Sequence, residues 1–206
     1  MKVAIIDYGV GNLGSLRRAL EPLCDVFVTE EKEKILEADA IVLPGVGAFA
    51  AGMEGLRVRD LIDTLQDAAK RSVPMLGICL GAQLFLDRGF EFGTHEGLGI
   101  VPGEVKHFPK LPQESAVPAI GWQEVSPTRD PAAQRLFAGI DRPCMYFVHS
   151  YVLVPAREEY ILARTMYGGY GYCAVMGKST IIGTQFHPEK SGEAGQQFLK
   201  NFIASI

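Results

Sequence analysis

A cysteine, a histidine and a glutamate in this chain stand at spacings that suit nucleophilic catalysis. Cys79 lies in Gly77-Ile78-Cys79-Leu80-Gly81, directly after an apolar run at 74–78 and directly before a helical run at 82–86. This is the layout of a nucleophile elbow with cysteine in place of serine, where flanking glycines permit a tight strand-to-helix turn. Such a turn strains the nucleophile and presents its side chain at the sheet edge. A helix N-terminus following the cysteine favours the thiolate, the reactive form. The N–H of Leu80 is expected to point at any oxyanion forming beside the sulfur. The second cluster is Gln185-Phe186-His187-Pro188-Glu189, at the end of a predicted strand. His187 and Glu189 are two residues apart, so an extended backbone puts both on one face, and Pro188 favours that backbone at His187. Glu189 can then accept from one imidazole nitrogen and turn the other towards the cysteine.

A third feature, Pro44-Gly45-Val46-Gly47, again follows an apolar strand. Its glycines let backbone amides approach a ligand, which suits a second oxyanion donor or, equally, a plain turn. The other cysteines, Cys24, Cys144 and Cys173, have no motif around them and read as small hydrophobes. None of the four makes a Cys-x-x-Cys pair, so neither a zinc site nor a redox motif is suggested. His95 and His107 fall in a loop-rich stretch and read as structural. An elbow cysteine alone points to acyl transfer and does not separate amidases from peptidases.

The elements that must position these groups follow from the pattern of apolar residues. Runs at 3–6, 25–29, 40–43 and 74–78 lack polar alternation and are separated by helical stretches. The helices are expected at 13–23, through Ile35, Leu36 and Ala38, and through Leu56, Leu61, Ile62 and Leu65. That sequence of elements predicts a parallel sheet covered on both faces. Proline and glycine punctuate 102–143, and the strands beyond look antiparallel: 145–154, 160–166, and a hairpin of 172–176 with 180–186 turning at Gly177-Lys178. A last amphipathic helix is expected over 193–203. The 206 residues fit one α/β domain, 1–206, with a mixed, mostly parallel sheet and an antiparallel extension.

Composition narrows the classes. With 48% hydrophobic residues the chain can bury a core without a metal or disulfide. A formal charge of −4 argues against a nucleic-acid surface. The N-terminal apolar stretch ends at Asp7, too short for an export signal, and no run is long enough to span a membrane. The expected location is the cytosol, with reduced thiols.

Together these motifs resemble the class I (triad-type) glutamine amidotransferases over essentially the whole chain. Within that class, Asp7-Tyr8-Gly9-Val10-Gly11-Asn12-Leu13-Gly14-Ser15 looks like the N-terminal signature of the glutaminase subunits of imidazole glycerol phosphate synthases. Pro44-Gly45-Val46-Gly47-Ala48-Phe49, Phe147-Val148-His149-Ser150-Tyr151 and His187-Pro188-Glu189-Lys190-Ser191 agree with it. One departure is Gln123, where the family usually has asparagine. The resemblance implies a flavodoxin-like fold and a triad of Cys79, His187 and Glu189. It implies an oxyanion hole at Val46, Gly47 and Leu80, and glutamine contacts from Gln83, Glu91, Ser150 and Tyr151. Gln83 is one helical turn past the nucleophile and can face the same pocket; Glu91 reads equally as a solvent-facing carboxylate. No cofactor is implied. The implied partner is a separate (βα)₈-barrel cyclase in a heterodimer, which uses the ammonia in histidine biosynthesis. The resemblance offers Asn12, Trp122, Tyr146 and Lys190 for that interface, although Trp122 and Tyr146 also suit core aromatics.

Overall fold

The apolar runs of the first half pair in parallel in the computed structural model, which describes residues 1–111 and 115–206. β1 (Lys2–Ile6) lies between β2 (Asp25–Thr29) and β3 (Ala40–Leu43), and β3 pairs with β4 (Met75–Ile78). Successive β1 side chains enter opposite cores, Val3 and Ile5 one, Ala4 and Ile6 the other, so the sheet needs cover on both sides. α1 (Leu13–Leu20) packs on the first face. α2 (Lys32–Leu36), α3 (Phe49–Val58), α4 (Ile62–Lys70) and α5 (Leu80–Leu84) pack on the second.

After α5 come two short strands, β5 (Arg88–Gly89) and β6 (His95–Glu96), then β7 (Gly103–His107) and β8 (Ala119–Pro127). They are followed by α6 (Pro131–Leu136), β9 (Cys144–His149), β10 (Tyr151–Pro155), β11 (Ile161–Tyr167), β12 (Tyr170–Lys178), β13 (Ile181–Thr184) and α7 (Gly192–Ala204). The strand order β2-β1-β3-β4-β13-β12-β10-β7-β5-β6 carries the ribbon β11-β8-β9 off β12. The last strand inserts at the centre. β13 runs parallel to β4, with Gly183 opposite Gly77 and Thr184 opposite Ile78, and antiparallel to β12. This insertion brings the His187 segment beside Cys79. No helix among the described residues is long and apolar enough to cross a membrane.

Four expectations need correcting. The helix through Leu56 and Leu65 is two helices, because Asp60 takes a positive φ of 55° and the N–H of Leu61 returns to Leu56 O. The helix after Cys79 is shifted to Leu80–Leu84, since the carbonyls of Leu84, Phe85 and Leu86 accept from the 98–101 loop instead of continuing the helix. The strand expected over 145–154 breaks at Ser150: β9 pairs with β8, whereas β10 turns to pair with β7 and β12. Gly177 lies inside β12 and not in the hairpin turn, which falls at Ser179 (φ 56°). A Cβ on Gly177 would meet Leu162 Cδ1 at 2.4 Å, so the glycine there serves packing.

Candidate active site

The two ends of adjacent parallel strands build the site. β4 delivers Cys79, whose φ of 51° and ψ of −107° lie where a residue with a side chain is strained by about 1–3 kcal/mol. Neighbouring backbone holds it there: Cys79 N–H donates to Thr184 O at 2.7 Å, and Gln83 N–H to Cys79 O at 3.0 Å. The glycine bracket is obligatory. A Cβ on Gly81 would lie 1.8 Å from Leu43 O, and one on Gly77 would lie 2.7 Å from the Ala82 backbone.

The β13 end delivers the pair. His187 Nδ1 is 2.8 Å from Glu189 Oε1, and both side chains are almost fully buried. The loop is pinned from β9, because His187 N–H donates to Tyr146 O and Tyr146 N–H to Ser191 Oγ, which donates to His187 O at 2.6 Å. Among the described residues, His187 Nε2 and Glu189 Oε2 are buried without a hydrogen bond of ordinary geometry. Burial pulls the His187 imidazole downward. Hydrogen bonding and charge from Cys79 and Glu189 outweigh it and raise the imidazole to about 10. Both partners thus favour the protonated form of the ring.

Cys79 opens into a cavity of about 390 Å³. Val46, Gly47, Leu80, Gln83, Glu91, Ser150, Tyr151 and Lys190 line it. The groups expected in the sequence thus converge, with three refinements. First, the N–H of Leu80 already donates to Gly45 O at 3.3 Å and is not free for an oxyanion. Second, Glu91 is not a solvent-facing carboxylate only: its Oε2 accepts from the N–H of Phe49 at 2.7 Å, at the start of α3, on the cavity wall. Third, Gln83 Nε2 is committed to Tyr151 O (3.1 Å) and Gln185 Oε1 (3.4 Å), so Oε1 is its open group.

The interface candidates divide. Trp122 is 56% exposed and Tyr146 half-buried, their rings 6.0 Å apart edge to face on the β8–β9 ribbon, so neither is a core aromatic. Lys190 sits on the cavity rim. Asn12 is exposed but accepts from the N–H of Ser15 as the N-cap of α1. His95 Nε2 donates to Glu91 O and His107 Nδ1 to Phe108 O, in keeping with structural roles.

Sequence reasoning missed three contributors. Tyr8 is fully buried and donates to Pro44 O at 2.5 Å, beneath the glycine turn; burial, then the charge of Cys79, raises its phenol. His149 bridges Tyr151 O (2.9 Å) and the Tyr172 hydroxyl (3.0 Å), which reaches Gln123 Oε1 at 2.7 Å. Burial first, then the nearby His187, lowers His149 to about 4 against its backbone bond, so it stays neutral. Gln185 lies fully buried beside the sulfur. All three lie in motifs quoted above, but nothing local showed what Tyr8 and His149 would bond, since their partners Pro44 and Tyr172 are distant in sequence.

The glutamine amidotransferase class-I family model matches residues 4–206. The imidazole glycerol phosphate synthase subunit HisH of Salinibacter ruber is 45% identical to this chain, covering 97% of it and 93% of the relative. HisH of Moorella thermoacetica is 44% identical with the same coverage, and that of Geobacillus thermodenitrificans 40%, covering 99% of this chain and 96% of its own. Among solved structures, a glutamine amidotransferase superposes with a TM-score of 0.75 at 16% identity, covering 99% of both chains. The PurLQS structure from Thermotoga maritima gives 0.73 at 16%, covering 99% and 98%. At such identities the superpositions speak to fold alone.

Proposed function

The chain belongs to the class-I glutamine amidotransferase family, and from that premise we propose that it hydrolyses the side-chain amide of glutamine at Cys79 and passes the ammonia to a separate cyclase subunit. The observation that carries this is the strained Cys79 lining a cavity, with His187 and its buried partner Glu189 delivered beside it by the adjacent strand end.

The Cys79 thiolate attacks the amide carbon, and the carbonyl oxygen takes the negative charge. Sulfur loses its charge in this step, and with it a main cause of the raised His187 basicity. His187 therefore gives its proton to the departing nitrogen as ammonia leaves and the thioester forms. The now neutral imidazole takes a proton from water, hydroxide attacks the thioester carbon, and the new carboxyl group departs, giving its proton to solvent as glutamate, while the thiolate and imidazolium reform. Glu189 keeps Nδ1 protonated throughout, leaving Nε2 to carry the proton. Glu91 and the open Gln83 Oε1 suit the substrate's α-ammonium, and the Ser150-Tyr151 backbone its neighbouring groups.

The oxyanion requires one rearrangement. Gly45 C=O and Val46 N–H share a rigid peptide plane, so one rotation of that plane both frees Leu80 N–H and carries Val46 N–H towards the hole. That rotation acts about the bonds flanking the plane, ψ of Gly45 and φ of Val46, and Gly47, with φ 121° and, among the described residues, nothing within 4 Å of its Cβ position, lets the following chain adjust to it. A partner seated on Trp122, Tyr146, Lys190 and Asn12 would reach the same cavity at Lys190. The relatives' role as imidazole glycerol phosphate synthase subunits supports a cyclase that makes imidazole glycerol phosphate in histidine biosynthesis as that partner; the cytosol is the compartment expected from the sequence. Mass spectrometry of the complex quenched during turnover tests the chemistry: a glutamyl thioester should appear on Cys79, and Cys79→Ala should abolish both adduct and ammonia release. Retained glutaminase turnover in Cys79→Ala refutes the mechanism.

A further inference from the structure

The polar groups around Cys79 are not exhausted by the triad. Gln185 follows β13, its N–H bonded to Ala174 O at 2.9 Å. The chain bends there, with the Gln185 carboxamide towards Cys79 and Phe186 in the aromatic core with Phe147 and Phe198. The side chain is wholly buried, a position an apolar residue could fill without the cost of desolvating an amide. The carboxamide is instead bonded at both ends: Nε2 lies 3.8 Å from Cys79 Sγ, and Oε1 accepts from Gln83 Nε2 at 3.4 Å.

Two uncharged groups thus compete for the sulfur. Val148 O, 4.0 Å away, can only accept and so prefers the thiol. Gln185 Nε2 can only donate and so prefers the thiolate. We infer that Gln185 is a further catalytic residue, whose carboxamide N–H stabilises the Cys79 thiolate and, through Gln83, ties the nucleophile to the wall of the glutamine pocket. The inference rests on Cys79 being the nucleophile. The titratable groups that also face this region are His187 and Glu189 from the β13 end, Tyr8 beneath the glycine turn, Tyr172 from β12, His149 at the end of β9, and Tyr151, Glu91 and Lys190 around the cavity. All stay in place when only position 185 is changed.

The test uses the full chain with its cyclase. Gln185→Met keeps the length and removes the donor; Gln185→Glu keeps the shape and substitutes a negative acceptor. Three readouts apply: the pH midpoint of iodoacetamide alkylation at Cys79, located by peptide mass spectrometry, the split between kcat and KM for glutamine, and the melting temperature. A donor to a charged group is expected to move both the midpoint and kcat by about tenfold in Gln185→Met, with KM changing less than threefold. Gln185→Glu should move the midpoint further in the same direction. A lowered melting temperature with an unchanged midpoint in either variant overturns the inference and leaves Gln185 as packing. If Gln185→Met does not fold, the midpoint of Gln185→Glu decides alone. Cys79→Ala is the parallel control: retained turnover there overturns the nucleophile itself, whereas its loss beside unmoved position-185 variants overturns only the role of Gln185.

Discussion

Two glycine-bracketed turns stand side by side at the ends of parallel strands, one after β3 and one after β4, and they are built to opposite standards. The turn at 77–81 is sealed: added Cβ atoms at Gly77 and Gly81 meet backbone at 2.7 and 1.8 Å. The turn at 44–47 is sealed only at its start. Tyr8 grips Pro44 O and would lie 2.4 Å from a Cβ on Gly45, whereas Val46 and Gly47 are exposed and, among the described residues, nothing lies within 4 Å of a Cβ on Gly47. The nucleophile is therefore fixed in advance, while the backbone that should serve the oxyanion rests with Leu80 N–H taken by Gly45 O. Similar sequence, Gly-x-Gly against Gly-x-Cys-x-Gly, gives rigidity in one place and a joint in the other, and tertiary packing makes the difference.

The contrast breaks first at Gly81. Gly81→Ala drives a methyl into the Leu43 carbonyl and is expected to cost more than about 4 kcal/mol or prevent folding, read from denaturant midpoints; a loss under about 1 kcal/mol would mean the turn is not sealed. Next comes the pair behind the sulfur. His187 is raised in the fold, so its stabilising contribution is full below its ordinary value near 6.5 and disappears as pH rises through about 10. Wild type should exceed His187→Gln in stability by a few kcal/mol at pH 6 and converge on it by pH 10.5. Cys79→Ala should lower the His187 midpoint in an NMR titration; an unmoved midpoint would show that the sulfur does not charge the ring. Tyr8→Phe leaves Pro44 O buried without its partner, an expected cost of about 1–3 kcal/mol with loosening of the 44–47 turn. Protection of its amides in hydrogen exchange should fall there and not at 77–81. The smallest structural effect is Gly47→Ala, about 1 kcal/mol from its positive φ, yet its loss of partner-stimulated glutaminase should reach about 10²-fold if that joint must turn. A stability loss with full activity would remove Gly47 from the mechanism.

Much of this was legible in the sequence because local rules governed it. The parallel strands announced themselves by unbroken apolar runs, Cys79 by its glycines, and His187 with Glu189 by their nearness, although a 3₁₀ turn over Pro188–Lys190, and not the expected extended backbone, brings the two side chains together. What escaped was set by partners distant in sequence. Ser150 breaks an apparently continuous strand because β9 and β10 serve different neighbours. Gly177 imitates a turn but is a packing glycine against Leu162. Tyr8 reads as part of a signature loop, and only the fold lays its hydroxyl under Pro44. The free Leu80 N–H failed as an expectation for the same reason, since its acceptor, Gly45 O, arrives from another strand.

The most direct test is the rate of glutamine hydrolysis by the subunit alone, then with the cyclase, then with the cyclase and its nucleotide. With Leu80 N–H occupied in the free chain, the account expects slow basal turnover and stimulation of at least about 10²–10³-fold in the liganded complex, the worth of restored oxyanion donors. A free subunit as fast as the complex would contradict it.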